Sequence, residues 1–374
     1  MVGGSGLGKT RGVAIPSLLR WPGGALVVDI KGELTRITSE CRGKVYVFDP
    51  EEALHAYDPI LECQTLDGAQ ELARALIPEP LEGEPVWAQS AQGIFAAAVL
   101  EAAHTGDKLC QVAERVCMTP LPQLIEELQN SAVRGSRLLS SVGVGVPEKT
   151  LGSISMELKS KLLTLAADEG IARATSRSDF RPAALEEGAT IYIRVAEHML
   201  AQYEELWTVI IGQMLRHLSK RPEKALPGVM VLLDELPRLG KLDKLTESLA
   251  TLRSRNVHII SVIQSMAQLD LIYGQDSRKV IADNCRYKLV LGASDPETQE
   301  YFAGLAGQQT VHTKGVTIGS GWVPNYSMNE TGVHLIRPEV WGRLEKPVLF
   351  AGGLQPTQLD LAFWDLDKEL RQLA

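Results

Sequence analysis

The sequence GGSGLGKT at residues 3–10 fits the pattern GxxxxGK[ST] and decides the fold of this 374-residue chain. In such a loop, backbone N–H groups turn toward nucleotide phosphates, the lysine reaches the β- and γ-phosphates, and the hydroxyl binds Mg²⁺. Glycines are needed because bulkier residues could neither adopt the turn nor let a phosphate approach the backbone. The pattern therefore predicts an α/β protein that binds ATP and Mg²⁺. The expected contacts are Gly3, Gly6, Gly8, Lys9 and Thr10, with Thr10 also a metal ligand.

The residues before this loop are unusually few. A phosphate loop normally follows a buried strand, yet only Met1 and Val2 precede Gly3. We expect either that the chain is a fragment or that its sheet lacks the usual first strand, which would weaken the anchoring of the loop. The alternative interpretation of the stretch is a flexible glycine-rich terminus.

A second acidic motif lies 225 positions after Lys9, where the apolar run Val229–Leu233 ends in Asp234 and Glu235. The carboxyl edge of an open parallel sheet is where ligands bind. At that edge Asp234 is expected to hold the Mg²⁺ shared with the phosphate loop, and Glu235 to orient or deprotonate the attacking water. The alternative is a strand end with two solvated acids.

Two later polar residues are further candidates. Gln264 follows the apolar run Ile259–Ile263 and is expected near the γ-phosphate, where its amide would sense that group. The alternative for Gln264 is a solvent-facing loop residue. Arg253 lies just before the same run, and an exposed surface position is the default interpretation of any arginine.

The chain divides by pattern into α/β segments and a helical insertion. Continuous apolar runs at Gly24–Ile30 and Lys44–Phe48, and again from Thr190 onward, are typical of a parallel sheet covered on both faces. Between them, apolar residues recur at three- and four-residue spacing, which predicts helices. We therefore expect a discontinuous nucleotide-binding domain, 1–65 and 171–374, with an all-α domain over 66–170. Gly319–Asn329 is predicted to be a loop.

Composition excludes several classes of protein. Lys plus Arg is 38 and Asp plus Glu is 46, a net charge of −8, so DNA contact must come from a local patch or a pore rather than a basic surface. Five scattered cysteines give neither a disulfide framework nor a zinc pattern. No stretch reaches the ~18 apolar residues of a membrane span, and no signal peptide is visible. We expect a soluble, cytoplasmic chain.

The ordered set of motifs resembles the type IV secretion coupling proteins, the TraG/TraD-like DNA-translocating ATPases of conjugation. The resemblance covers nearly the whole chain. Besides the phosphate loop, it rests on Ile15–Leu19, Trp21–Gly23, Val28–Glu33, Tyr46–Pro50, Leu233–Gly240, Gln264 and Asp283–Cys285.

This resemblance implies more than the motifs show. It implies a RecA-like nucleotide-binding domain with an inserted all-α domain that docks substrate. It also implies a homo-hexamer with ATP at subunit interfaces, and partners that include single-stranded DNA, the relaxase and relaxosome, and the secretion channel. Membrane contact would come through an N-terminal anchor absent from this chain, which would place the intact protein at the inner membrane.

Site residues also follow from the resemblance. Arg253 matches the arginine that reaches a neighbour's nucleotide, with Arg255 as its rival. Asp29, Lys31 and Glu33 belong to a shared signature whose chemistry the sequence leaves open. Two alternatives to the coupling protein also stay open: a chromosome-segregation translocase or helicase, and a recruitment adaptor switched by nucleotide with little turnover.

Overall fold

The structure is a computed structural model that describes residues 1–80, 85–318 and 324–374. Its strands are β1 (Gly24–Asp29), β2 (Val45–Phe48), β3 (Thr190–Arg194), β4 (Val229–Leu233), β5 (Val257–Ser261), β6 (Tyr287–Val290), β7 (Gln308–Ile318), β8 (Pro324–His334), β9 (Val348–Ala351) and β10 (Thr357–Gln358). Its α-helices are α1 (Ile15–Arg20), α2 (Glu33–Thr38), α3 (Leu66–Leu76), α4 (Val86–Thr105), α5 (Leu109–Met118), α6 (Leu121–Gln129), α7 (Arg134–Ser140), α8 (Glu148–Ala167), α9 (Glu169–Ala174), α10 (Glu204–Leu218), α11 (Asp243–Ser254), α12 (Met266–Asn284), α13 (Pro296–Ala306) and α14 (Lys368–Leu373).

The chain forms two compact units. The first, here called the loop unit, comprises Met1–Leu19, Glu235–Pro237 and Ile260–Ala374. The second, here called the sheet unit, comprises Arg20–Asp234 and Arg238–Ile259. The division differs from the predicted domains, because the helical segment and most of the strands before it share one unit. The domain boundaries at 66 and 170 therefore stay a prediction.

The central sheet has five strands in the order β2-β3-β1-β4-β5. β1 pairs in parallel with both β3 and β4, and β2 pairs in parallel with β3. Every residue of β1 and β4 is buried, as expected for apolar strands covered on both faces. The predicted α/β class with a parallel central sheet is confirmed.

The helical segment of the sheet unit runs from α3 to α9. In the described part of residues 66–174 every regular element is helical, as the spacing of apolar residues predicts. α4 lies at its centre and packs against α3, α5, α7 and α8. Ten residues of α4 are buried. Many of them are alanines, whose small side chains let the neighbouring helices approach closely. Among the described residues, no helix is both long and apolar enough to cross a membrane.

The loop unit contains a smaller sheet and a long ribbon. β10, β9 and β6 form a three-stranded antiparallel sheet in that order. Phe302, Trp341 and Phe350 stack beside it, with ring centroids 5.7 to 5.8 Å apart.

β7 and β8 form the two-stranded ribbon, which pairs in antiparallel register from Gln308 with His334 to Ile318 with Pro324. The loop predicted over Gly319–Asn329 is wrong for residues 324–329, which belong to β8. Residues 319–323 of that prediction lie outside the described chain. The ribbon is polar and glycine-containing, so its strands carry little apolar alternation by which the sequence could reveal them.

Candidate nucleotide-binding site

Val2, directly before the phosphate loop, forms isolated β-bridges on both sides. Val2 is bridged in parallel with Ile263 on one side and Val290 on the other. Its N–H donates to Leu289 O at 2.8 Å, and its carbonyl accepts from Leu291 N at 2.9 Å. Gly3 N donates to Ile263 O at 3.2 Å. Val2 is therefore bonded on both sides just before the phosphate loop, although no regular strand precedes the loop among the described residues.

The loop itself has the backbone that its glycines permit. Gly6 and Gly8 have φ values of +80° and +84°, a left-handed region that other residues adopt only at a cost. Lys9 folds back into the loop, where its Nζ donates to Gly3 O at 2.5 Å and to Gly4 O at 2.9 Å. The Lys9 side chain is only 8% exposed. The ammonium is thus held within the curve of the loop, where phosphate oxygens are bound in proteins of this pattern.

A helix starts directly at the end of the loop. Thr10–Ala14 form a π-helical turn that continues into α1, with Gly12 N donating to Gly8 O at 2.7 Å. The first N–H groups of a helix have no partner within it and carry partial positive charge, which favours an anion. Thr10 is partly exposed at this end. Its hydroxyl is a hard oxygen donor of the kind that Mg²⁺ takes.

Glu235 and Gln264 are brought together in the loop unit. Gln264 Nε2 donates to Glu235 Oε1 at 3.3 Å, although the two residues are 29 positions apart. Glu235 is 7% exposed and has a φ of +54°, unusual for a residue with a side chain. Such backbone strain costs about 1–3 kcal/mol and persists where the surroundings impose it. Here Leu236 N donates to Val262 O at 2.9 Å, which fixes the turn directly after Glu235.

Asp234 directly follows β4 in the sheet unit, one residue before Glu235. Its N–H donates to Val28 O at 3.4 Å, and its side chain is 5% exposed. A buried carboxylate at a strand end differs from the solvated acid that the sequence offered as an alternative.

Arg253 lies in the last turn of α11, also in the sheet unit, and its side chain is exposed. Its rival Arg255 is held by its own chain, since Arg255 Nη1 donates to Arg221 O at 2.7 Å. Of the two arginines, Arg253 is therefore the more exposed. Its role on a neighbouring subunit stays a prediction.

In the signature that contains Asp29, Lys31 and Glu33, the Asp29 carboxylate accepts hydrogen bonds from the first turn of α2, a contact that the sequence did not reveal. Asp29 is buried at the end of β1, and its Oδ2 accepts from Thr35 N at 2.7 Å and from Thr35 Oγ1 at 2.8 Å. These bonds satisfy a backbone N–H in the first turn of α2. Gly32, with a φ of +67°, makes the tight turn between them. Lys31 is exposed and Glu33 is partly exposed. Asp29 thus stabilises the first turn of α2 through its two hydrogen bonds with Thr35.

Comparison with known proteins places the chain in a family. The family model for type IV secretory system conjugative DNA transfer matches residues 1–372. The chain is 27% identical over 398 residues to protein VirD4 of Agrobacterium fabrum, covering 98% of this chain and 58% of VirD4. It is 26% identical over 351 residues to conjugal transfer protein TraG of Escherichia coli, covering 83% of this chain and 55% of TraG.

The fold comparison agrees with the sequence comparison. The plasmid coupling protein TrwB, solved in complex with ADP and Mg²⁺, shares the fold with a TM-score of 0.78 at 21% identity, over 96% of this chain and 84% of TrwB. The chain spans rather more than half the length of the curated relatives it matches. Because the family model matches residues 1–372, nearly the whole chain, the chain belongs to the family of type IV secretory system conjugative DNA transfer proteins.

Proposed function

We propose that this chain is the ATP-hydrolysing motor of a type IV secretion coupling protein, which moves DNA toward the secretion channel. The observation that carries the proposal is that the loop unit contains both a phosphate loop and a positioned carboxylate. It holds a phosphate loop with an internal lysine and, within the same unit, the buried Glu235 hydrogen-bonded to Gln264. A binding loop alone would suit a switch, whereas a positioned carboxylate suits hydrolysis.

Each site residue has a distinct task in the proposed reaction. Lys9 and the backbone of residues 3–10 bind the β- and γ-phosphates, while Thr10 and Asp234 hold Mg²⁺, which neutralises charge on the phosphate oxygens. Glu235 orients the attacking water and takes its proton. Gln264 donates to Glu235 at 3.3 Å and so links the carboxylate to a group that can sense the γ-phosphate.

The assembly is part of the same proposal. We expect a homo-hexamer with ATP between subunits, where Arg253 of one subunit reaches the nucleotide of the next. The substrate is single-stranded DNA bound to a relaxase, which docks on the helical segment of residues 66–170. In the cell the protein would act at the cytoplasmic side of the inner membrane, next to the channel. The names of two relatives, conjugal transfer protein TraG and plasmid coupling protein TrwB, fit this role.

The test is the ATPase rate of the chain as a function of its concentration, with and without single-stranded DNA. Catalysis at subunit interfaces predicts a rate per subunit that rises steeply with concentration and rises further with DNA. Double-stranded DNA of equal nucleotide concentration is the control, since the proposed substrate is a single strand. A slow rate that depends on neither concentration nor DNA would contradict the motor and would support a nucleotide-switched adaptor.

A further inference from the structure

The turn between α10 and β4, residues 221–228, is bonded to the end of α11 in the sheet unit. Lys224 N donates to Ser254 O at 2.8 Å, and Asn256 Nδ2 donates to Ala225 O at 3.1 Å. Ser254 is the last residue of α11. These bonds therefore hold the backbone of Lys224 against the final turn of that helix.

Arg221 fixes the start of the same turn. Its side chain is only 1% exposed, and its Nε donates to Glu186 Oε2 at 2.9 Å. Its Nη2 donates to Pro227 O at 2.6 Å, near the other end of the turn. Because a buried guanidinium joins both ends of the turn and a carboxylate, the fold determines where Lys224 lies.

The backbone of Lys224 is strained. Its φ is +56°, in the left-handed region that glycine adopts without cost. The neighbouring Asn256 has a φ of +59°, but asparagine is a residue type that tolerates this region. Lysine does not share that tolerance, so a glycine would suit the turn better. Residues under such strain cluster at functional sites, which directs attention to the Lys224 side chain.

Lys224 and Arg253 are two exposed cations at the amino ends of the strands β4 and β5. Among the residues that the structure describes, no carboxylate forms an ion pair with either of them. Asp234, the proposed Mg²⁺ ligand, follows the opposite end of β4, and a strand of five residues is about 16 Å long. Lys224 is therefore too far from Asp234 to contact a Mg²⁺ ion held there by its own chain.

We propose that Lys224 acts in trans beside Arg253, with its ammonium contacting the γ-phosphate of ATP bound by a neighbouring copy of this chain. This proposal rests on the proposed function. The surface formed by the turn and the end of α11 thus packs on a second copy, whose bound triphosphate is the anion that matches two cations. A lysine supplies a compact point charge and an arginine a planar fork of donors, so the two side chains neutralise phosphate charge in different ways.

The test is the ATPase rate of the full chain at concentrations at which it assembles, in the variants Lys224→Gly and Lys224→Arg. Since glycine adopts positive φ without cost, Lys224→Gly removes the charge and preserves the turn, and its melting temperature is not lower than that of the parent. Its turnover falls about 10- to 150-fold, as expected for loss of a hydrogen bond to a charged group, and ATP binding by the dilute chain stays within about twofold. Lys224→Arg keeps the charge and loses less. The control Lys220→Ala removes another exposed lysine and keeps the parent rate.

Mixed rings decide which subunit's nucleotide Lys224 contacts. Lys224→Gly mixed with Lys9→Ala gains activity, because some interfaces join an intact phosphate loop to an intact Lys224. Lys224→Gly mixed with Arg253→Ala gains none, because both cations belong to the same surface and every interface lacks one of them. Recovery in the second mixture would mean that Lys224 acts on the nucleotide of its own chain, and would overturn the proposal.

Three other outcomes also count against Lys224. Equal turnover in the parent and in Lys224→Gly would remove Lys224 from the reaction. A loss in Lys220→Ala as large as that in Lys224→Gly would mean that positive charge in general, and not Lys224, is required. Failure of Lys224→Gly and Lys9→Ala to recover activity in rings that demonstrably mix would refute action in trans. A parent chain that hydrolyses no ATP at any concentration would instead refute the proposed function, which distinguishes the two failures.

Discussion

At the scale of the residue, Lys9 is the main side-chain charge of the phosphate loop. Lys9→Ala should weaken ATP binding by about 10- to 150-fold, since a hydrogen bond to a charged group contributes about 1.5–3 kcal/mol, and should lower turnover to background. Fluorescent-nucleotide titration measures the binding. Lys279→Ala, which removes an exposed lysine of the same unit, is the control. ATP hydrolysis at the parent rate by Lys9→Ala would show that the loop is not the site.

Glu235 is the second decisive residue, and its amide variant preserves its shape. Glu235→Gln keeps an oxygen that can accept from Gln264 Nε2 and removes only the basic carboxylate. We expect ATP–Mg²⁺ to bind as in the parent, with turnover lowered about 10²- to 10⁴-fold in single-turnover assays. Glu345→Gln, an exposed acid of the same unit, serves as control. Loss of nucleotide binding in Glu235→Gln would contradict the role of general base.

At the scale of the element, Asp29 stabilises the start of α2. Asp29→Ala leaves Thr35 N, in the buried first turn, without its acceptor and should lower the free energy of unfolding by about 1–3 kcal/mol. Asp29→Asn retains an oxygen acceptor and should lose less. Urea denaturation followed by circular dichroism measures both. Unchanged stability in Asp29→Ala combined with lost ATPase activity would instead place Asp29 in the chemistry.

At the scale of the whole molecule, substitution of Arg253 tests the proposed hexameric ring. Arg253→Ala should leave nucleotide binding by the isolated chain intact and lower turnover by about 10³- to 10⁵-fold, as loss of an arginine finger does. Arg255→Ala is the matched control. It removes a guanidinium that donates to Arg221 O within its own chain, so its effect should fall on stability.

Mixing subunits decides whether Arg253 acts between chains. In rings that combine Arg253→Ala with Lys9→Ala, some interfaces join an intact loop to an intact arginine, so the mixture should regain activity that neither variant has. Light scattering establishes that mixed rings form. Mixed rings without activity, or an active Arg253→Ala on its own, would refute action in trans.

The sequence by itself determined the parts of this protein whose geometry is local. Gly6 and Gly8 adopt positive φ because glycine pays no steric cost there, and Lys9 is close enough in the chain to fold back onto Gly3. The buried strands β1 and β4 follow from continuous apolar runs, since such runs are stable only inside a covered parallel sheet. The proximity of Glu235 and Gln264 could have been predicted from the sequence, because each residue follows an apolar strand at its carboxyl end.

Only the tertiary structure decided the contacts made across long stretches of chain. Val2 is bridged to Ile263 and Val290 on either side of it, whereas two residues carry no periodicity of their own from which the sequence could predict this. The capping of α2 by Asp29 depends on the left-handed turn at Gly32. Phe363 reaches Gly8 and Gly12 because the chain returns to the loop after its last strands, and no spacing in the sequence encodes that return. Local preferences fix backbone conformation, whereas packing selects which distant surfaces meet.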